Sequence, residues 1–105
     1  MSFLSFLRLG PDNIKEALRK GAAIIDVRTA NEFDMGKIPG SVNIPVDRID
    51  INSKRIKGMN KPIIFCCNSG HRSRQALAIM KEKGLKEAYV VGNWERLLRI
   101  VNSLH

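Results

Sequence analysis

Cys66 and Cys67 open the run Cys66-Cys67-Asn68-Ser69-Gly70-His71-Arg72-Ser73, a thiol doublet followed by one glycine, one histidine and one arginine. A thiol is a weak nucleophile at its ordinary pKa of about 8.5. Neighbouring cations or a helix N-terminus bring it to roughly 3.5–7.5, where the thiolate exists at neutral pH. His71 and Arg72 are such cations, and Ala76, Leu77, Ile79 and Met80 recur at helical spacing just beyond them. The run therefore ends at a helix start, whose free N–H groups and dipole favour an anion. Residue types in this order suit nucleophilic chemistry on an anionic substrate. The alternative is an inert thiol at a strand end, because free cysteine is commonly buried.

Such a loop needs a strand before it and a helix after it. Residues 63–66 are apolar and isoleucine-rich, as a buried strand requires, and the helix is expected from Ser73. Upstream, residues 3–9 offer a short edge strand. A helix then begins at Pro11, where the missing N–H costs nothing, carries an Ile14, Ala17 and Leu18 stripe, and stops at Gly21. Residues 22–27 are apolar except for Asp26, which fits a strand covered on both faces. Asp26-Val27-Arg28 then falls where open α/β sheets bind ligands, beyond the strand carboxyl ends. The same charges equally suit an ion pair that tethers a short helix over residues 30–35. Residues 36–40 form a Gly- and Pro-containing turn, 41–44 a short strand closed by Pro45, and 46–60 short helical turns. Gly84 ends the helix after the loop, residues 88–91 form a strand stopping at Gly92, and Trp94, Leu97, Leu98, Val101 and Leu104 mark a final amphipathic helix. Alternating strands and helices specify an α/β fold, a small, mostly parallel sheet with helices on both faces.

The 105 residues suit one domain over 1–105, with 44% hydrophobic and 27% charged residues as in ordinary globular chains. No apolar stretch approaches a membrane span, and residues 1–7 lack the charge and cleavage pattern of a signal peptide. Adjacent cysteines make a strained disulfide, so a reducing cytoplasm suits them. The two histidines, His71 and His105, with that doublet make a poor zinc set, and neither metal nor cofactor is expected. The net charge of +8 attracts small anions. The basic cluster Lys54, Arg55, Lys57 and Lys61 has no interleaved aromatics, so it is read as a solvated face rather than a nucleic-acid surface.

Three stretches in this order resemble the single-domain rhodanese family: Ile24-Ile25-Asp26-Val27-Arg28 with Glu32-Phe33, Gly36-Lys37-Ile38-Pro39-Gly40-Ser41-Val42-Asn43-Ile44-Pro45, and Cys67-Asn68-Ser69-Gly70-His71-Arg72-Ser73. The resemblance implies a three-layer rhodanese-like fold and a sulfurtransferase whose loop cysteine takes a sulfane sulfur from a small anionic donor such as thiosulfate. The persulfide would then pass its sulfur to a thiol or cyanide, with a thioredoxin-like protein as one such acceptor. Two positions depart from the family pattern. Lys37 stands where a histidine is usual and keeps a cation near the site, and Asn93 replaces a second glycine, a residue that also tolerates left-handed angles.

On this reading Cys67 is the nucleophile, and N–H groups from Asn68 to Arg72 form a nest for the sulfur, with Gly70 permitting the curl. Arg72 is either an inward anion clamp or, slightly favoured, an outward brace. His71 is placed at the rim, where its charge attracts substrate or is equally well simply solvated, Arg28 at the substrate, Ser69 in the cradle, and Ser73 caps the helix. Counted from Cys67, Arg72 closes a six-residue loop, the family length. Counted from Cys66 it closes seven, similar to the related phosphatases and arsenate reductases. Gly70 fits the shorter count, and strand alternation turns Cys66 away from its neighbour. A catalytically quiet, partner-binding domain of the same family is the third reading.

Overall fold

The computed structural model describes residues 11–105, and the strand expected over residues 3–9 lies outside them. Helix α1 (Pro11–Arg19) leads into β1 (Ala23–Asp26), then α2 (Ala30–Asp34) and β2 (Val42–Asn43). A 3-10 turn (Val46–Arg48) and α3 (Ser53–Lys57) fill the stretch expected to hold short helical turns. Strand β3 (Ile63–Cys67), α4 (His71–Glu82), β4 (Ala88–Asn93) and α5 (Trp94–Asn102) complete the order. The four strands run parallel in the order β2-β1-β3-β4. The expected α/β architecture is therefore the observed one, and among the described residues every strand pair is parallel.

Strand β3 lies between β1 and β4, with all five residues buried. Its side chains alternate between two cores, as the two-residue strand period requires. Ile63, Phe65 and Cys67 face the layer of α3, the 3-10 turn and α4, where Ile49, Ile56, Ala76 and Met80 pack. Ile64 and Cys66 face α1 and α5, where Ile14, Ala17 and Leu97 pack. The adjacent thiols thus belong to opposite faces of the sheet. Deleting a large side chain from such a core, Phe65 for example, costs about 3–5 kcal/mol.

Two boundaries differ from expectation at the site. Strand β3 continues through Cys67, and α4 starts at His71, two residues earlier than the apolar periodicity indicates. Strand β4 also runs to Asn93, with Cys66 opposite Val91 and Cys67 opposite Asn93, so Gly92 is the extra residue of a bulge. That bulge puts a glycine beside the loop between β3 and α4.

Candidate active site

The loop leaves β3 at Cys67 and turns into α4 through Gly70, whose φ of +98° is left-handed and suits glycine. This curl aims backbone donors at the Cys67 sulfur. The Gly70 N–H donates to Sγ at 3.0 Å, and N–H groups of Ser69 and Ser73 also support the anionic sulfur. Cys67 is 1% exposed. Its thiol proton has two acceptors, Ser73 Oγ at 3.2 Å and the Gly92 carbonyl at 3.4 Å. Burial pushes the Cys67 thiol up, yet the Ser73 hydroxyl and the N–H groups of Ser73, Gly70 and Ser69 together bring it below the ordinary value.

Ser73 does not cap the helix as expected. It is fully buried, Gly70 occupies the N-cap position, and the Ser73 hydroxyl donates to the Gly70 carbonyl at 3.1 Å. The same hydroxyl lies 3.2 Å from the sulfur, and a hydrogen bond between them favours the thiolate. Cys66 has the opposite environment: burial and the nearby Asp26 carboxylate push its thiol far up, which keeps it protonated.

Arg72 faces outward. Its Nη1 and Nη2 donate to Glu32 Oε1 at 2.7 Å and Oε2 at 3.2 Å, so the guanidinium braces the loop against α2. Asn68 shares that brace, its Nδ2 donating to Glu32 Oε2 at 2.8 Å. Glu32 is held from its own helix too. Its Oε1 accepts from the Thr29 N–H at 2.9 Å, and Thr29 Oγ1 accepts from the Glu32 N–H at 3.2 Å, a capping box. The Arg72 guanidinium, then the Thr29 N–H, bring the Glu32 carboxyl down to about 2.

Arg28 is likewise engaged with the framework. It is 3% exposed, its Nε and Nη2 grip Asp26 at 2.7–3.0 Å, and Nη2 and Nη1 donate to the Gly36 and Glu32 carbonyls. The guanidinium also lies 4.5 Å over the Trp94 ring. A buried cation with this many acceptors has little left for a ligand. His71 and Ser69 are exposed at the mouth of the loop, and His71 is the first residue of α4.

Residues 10–96 match the rhodanese-like domain family. The chain belongs to that family. It is 30% identical over 95 residues to a thiosulfate sulfurtransferase GlpE of Pseudomonas savastanoi, covering 90% of this chain and 88% of that protein. A rhodanese-like domain protein from Staphylococcus aureus superposes with a TM-score of 0.68 at 31% identity, over 84% of this chain and 86% of that one. A structure described as a rhodanese with anions, from E. coli, superposes with a TM-score of 0.65 at 25% identity, over 71% of this chain and 89% of the other.

Within this rhodanese-like domain, several residues near the site carry no signal in the active-loop motif itself. Glu32 anchors the loop, and the Thr29-x-x-Glu32 spacing of a capping box was its available trace. Gly92 packs against Gly70 so closely that a β-carbon on it would lie 2.9 Å from Gly70 Cα. Asn93 does not use left-handed angles, its φ being −113°. Its amide serves both sides: Oδ1 accepts from the Arg96 N–H at 2.8 Å to cap α5, and Nδ2 donates to the Asn68 carbonyl at 3.0 Å. Lys37, in place of the usual histidine, holds its ammonium 4.9 Å from the Phe33 ring centre.

Proposed function

We infer that this protein is a sulfurtransferase that loads sulfane sulfur from thiosulfate, or from another persulfide donor, onto Cys67 and passes it to a thiophilic acceptor. The observation that carries this reading is the cradle around Cys67 Sγ, where the Gly70 N–H at 3.0 Å and the Ser73 hydroxyl at 3.2 Å meet a thiol lowered below its ordinary pKa. The Cys67 thiolate attacks the outer sulfur of thiosulfate. A new S–S bond forms, the bond to the sulfonate sulfur breaks, and its electron pair leaves on sulfite. The loop N–H groups that held the thiolate then face the persulfide, so negative charge stays near fixed donors through the step. In the second half an acceptor thiolate or cyanide attacks the outer sulfur, and Cys67 leaves as thiolate.

The relative named thiosulfate sulfurtransferase supports the choice of donor. The acceptor side is open to small thiols and to a thioredoxin-like protein. Two free cysteines suit a reducing compartment such as the cytoplasm; among the described residues no helix is long and apolar enough to cross a membrane.

The test is intact mass after incubation with thiosulfate and removal of excess. Wild type and Cys66→Ser gain one sulfur atom, and Cys67→Ser gains none. Equal gain in Cys67→Ser, or none in wild type, overturns the reading, the latter result pointing to a quiet binding domain. Aryl phosphate hydrolysis lost in Cys66→Ser and retained in Cys67→Ser would establish the seven-residue phosphatase loop instead.

A further inference from the structure

Four of the cationic side chains around the loop differ sharply in what they are free to do. Arg28 is spent on Asp26, Gly36 and Trp94, Arg72 on Glu32, and Lys37 lies over Phe33. Arg74 is different. It is exposed on the first turn of α4, and among the described residues its guanidinium has no hydrogen-bond or ion-pair partner. Yet it does not extend into solvent away from the site. Its Nη1 lies 2.7 Å, and its Cζ 3.6 Å, from the position a β-carbon on Gly70 would take. The guanidinium therefore rests on the loop backbone at the one residue that has no side chain to exclude it, and the N–H of that residue holds Cys67 Sγ at 3.0 Å.

We propose that Arg74 is a specificity-determining residue that binds the anionic head of the sulfur donor while the donor's outer sulfur is presented to Cys67. This rests on the sulfurtransferase reading and deepens it, since it states which part of the donor is recognised and by which group. A planar guanidinium offers parallel N–H donors matched to two oxygens of a sulfonate or carboxylate. The loop N–H groups are engaged with the sulfur itself. A donor carrying an anionic group as well as its transferable sulfur therefore finds separate partners for its two ends, and an uncharged donor finds only one. The chemical class selected is an anionic sulfane donor, thiosulfate or a persulfide bearing a carboxylate. Exposure of Arg74 makes the attraction sensitive to salt.

The experiment measures the second-order rate of sulfur gain at Cys67, by quenched intact mass, with three donors: thiosulfate, glutathione persulfide and uncharged dimethyl trisulfide. The proteins are wild type, Arg74→Gln, Arg74→Lys and Lys61→Gln. Lys61 precedes β3 at the opposite end of the sheet and controls for the loss of one net charge. Arg74→Gln is expected to slow thiosulfate loading about fivefold, the scale of one exposed charge pair, and to flatten its salt dependence. Arg74→Lys restores part of the loss, and the trisulfide rate and Lys61→Gln stay at wild-type values. The two anionic donors separate by arm: a loss confined to thiosulfate assigns the contact to its sulfonate, and a loss confined to the glutathione donor assigns it to a carboxylate. An unchanged rate with both anions, or an equal loss with the neutral donor, overturns the role of Arg74 while leaving sulfur transfer intact. No sulfur gain in wild type from any donor would instead remove the sulfurtransferase reading itself.

Discussion

The Glu32 carboxylate grips the Arg72 guanidinium with two hydrogen bonds, 2.7 and 3.2 Å, across 40 residues of sequence. One oxygen of the same carboxylate accepts from Asn68 at the other end of the loop. A single side chain on α2 therefore fixes both the first turn of α4 and the residue after Cys67. The loop's shape depends on a helix that contributes no group to the sulfur.

Glu32→Gln is expected to lower stability at neutral pH by about 1 kcal/mol, the upper range for a partly exposed pair. The carboxyl is depressed from 4.5 to about 2 in the folded protein, so its contribution is present above about 4.5 and fades as pH falls toward 2. Urea unfolding of both proteins at pH 7 and pH 3 checks this. A gap that does not narrow at pH 3 would refute the linkage.

Ser73→Ala removes the hydroxyl that lowers the Cys67 thiol. The pH midpoint of Cys67 alkylation by iodoacetamide should move up, and sulfur loading near pH 6 should fall about tenfold, as for loss of one hydrogen bond to a charged group. An unmoved midpoint would mean that the backbone N–H groups alone hold the thiolate.

Gly92→Ala introduces a β-carbon 2.9 Å from Gly70 Cα, a distance that backbone must relieve by moving. Overpacking of this kind costs about 1–3 kcal/mol. The displaced residue is the one whose N–H holds Sγ, so sulfur loading should fall by more than the folded fraction does. Parallel thermal melts and loading rates distinguish the two effects.

Arg28→Ala leaves Asp26 as an unpaired carboxylate, 1% exposed, and should destabilise the protein by about 3–5 kcal/mol. Arg28→Lys should keep part of that stability. Because Arg28 serves the framework, the folded fraction of Arg28→Lys is expected to load sulfur from thiosulfate with an unchanged KM. A raised KM at full folding would return Arg28 to the substrate.

Much of the fold is legible locally. Strand β3 is visible in the unbroken apolar run over residues 63–66, one residue short of its end at Cys67, α5 in the stripe through Trp94, Leu97, Leu98 and Val101, and the parallel sheet in the alternation of elements. Assignment of Cys66 and Cys67 to opposite faces of the sheet also follows from strand alternation, a rule with a period of two residues. The start of α4 was less visible, because His71 and Arg72 form a polar first turn with no apolar periodicity. Ser73 resembles a cap by type, and only the earlier helix start turns it inward to the sulfur.

What the sequence by itself determined is the place of the thiol doublet at the strand end, the curl at Gly70 and the layered architecture, since each depends on residue types a few positions apart. The tertiary structure decided how the arginines divide their work. Arg28 and Arg72 found Asp26 and Glu32, whereas Arg74 lies against a glycine with no acceptor among the described residues. A guanidinium's role depends on which acceptors folding brings within about 3 Å of it, and for Arg72 that acceptor arrives from 40 residues away on another helix.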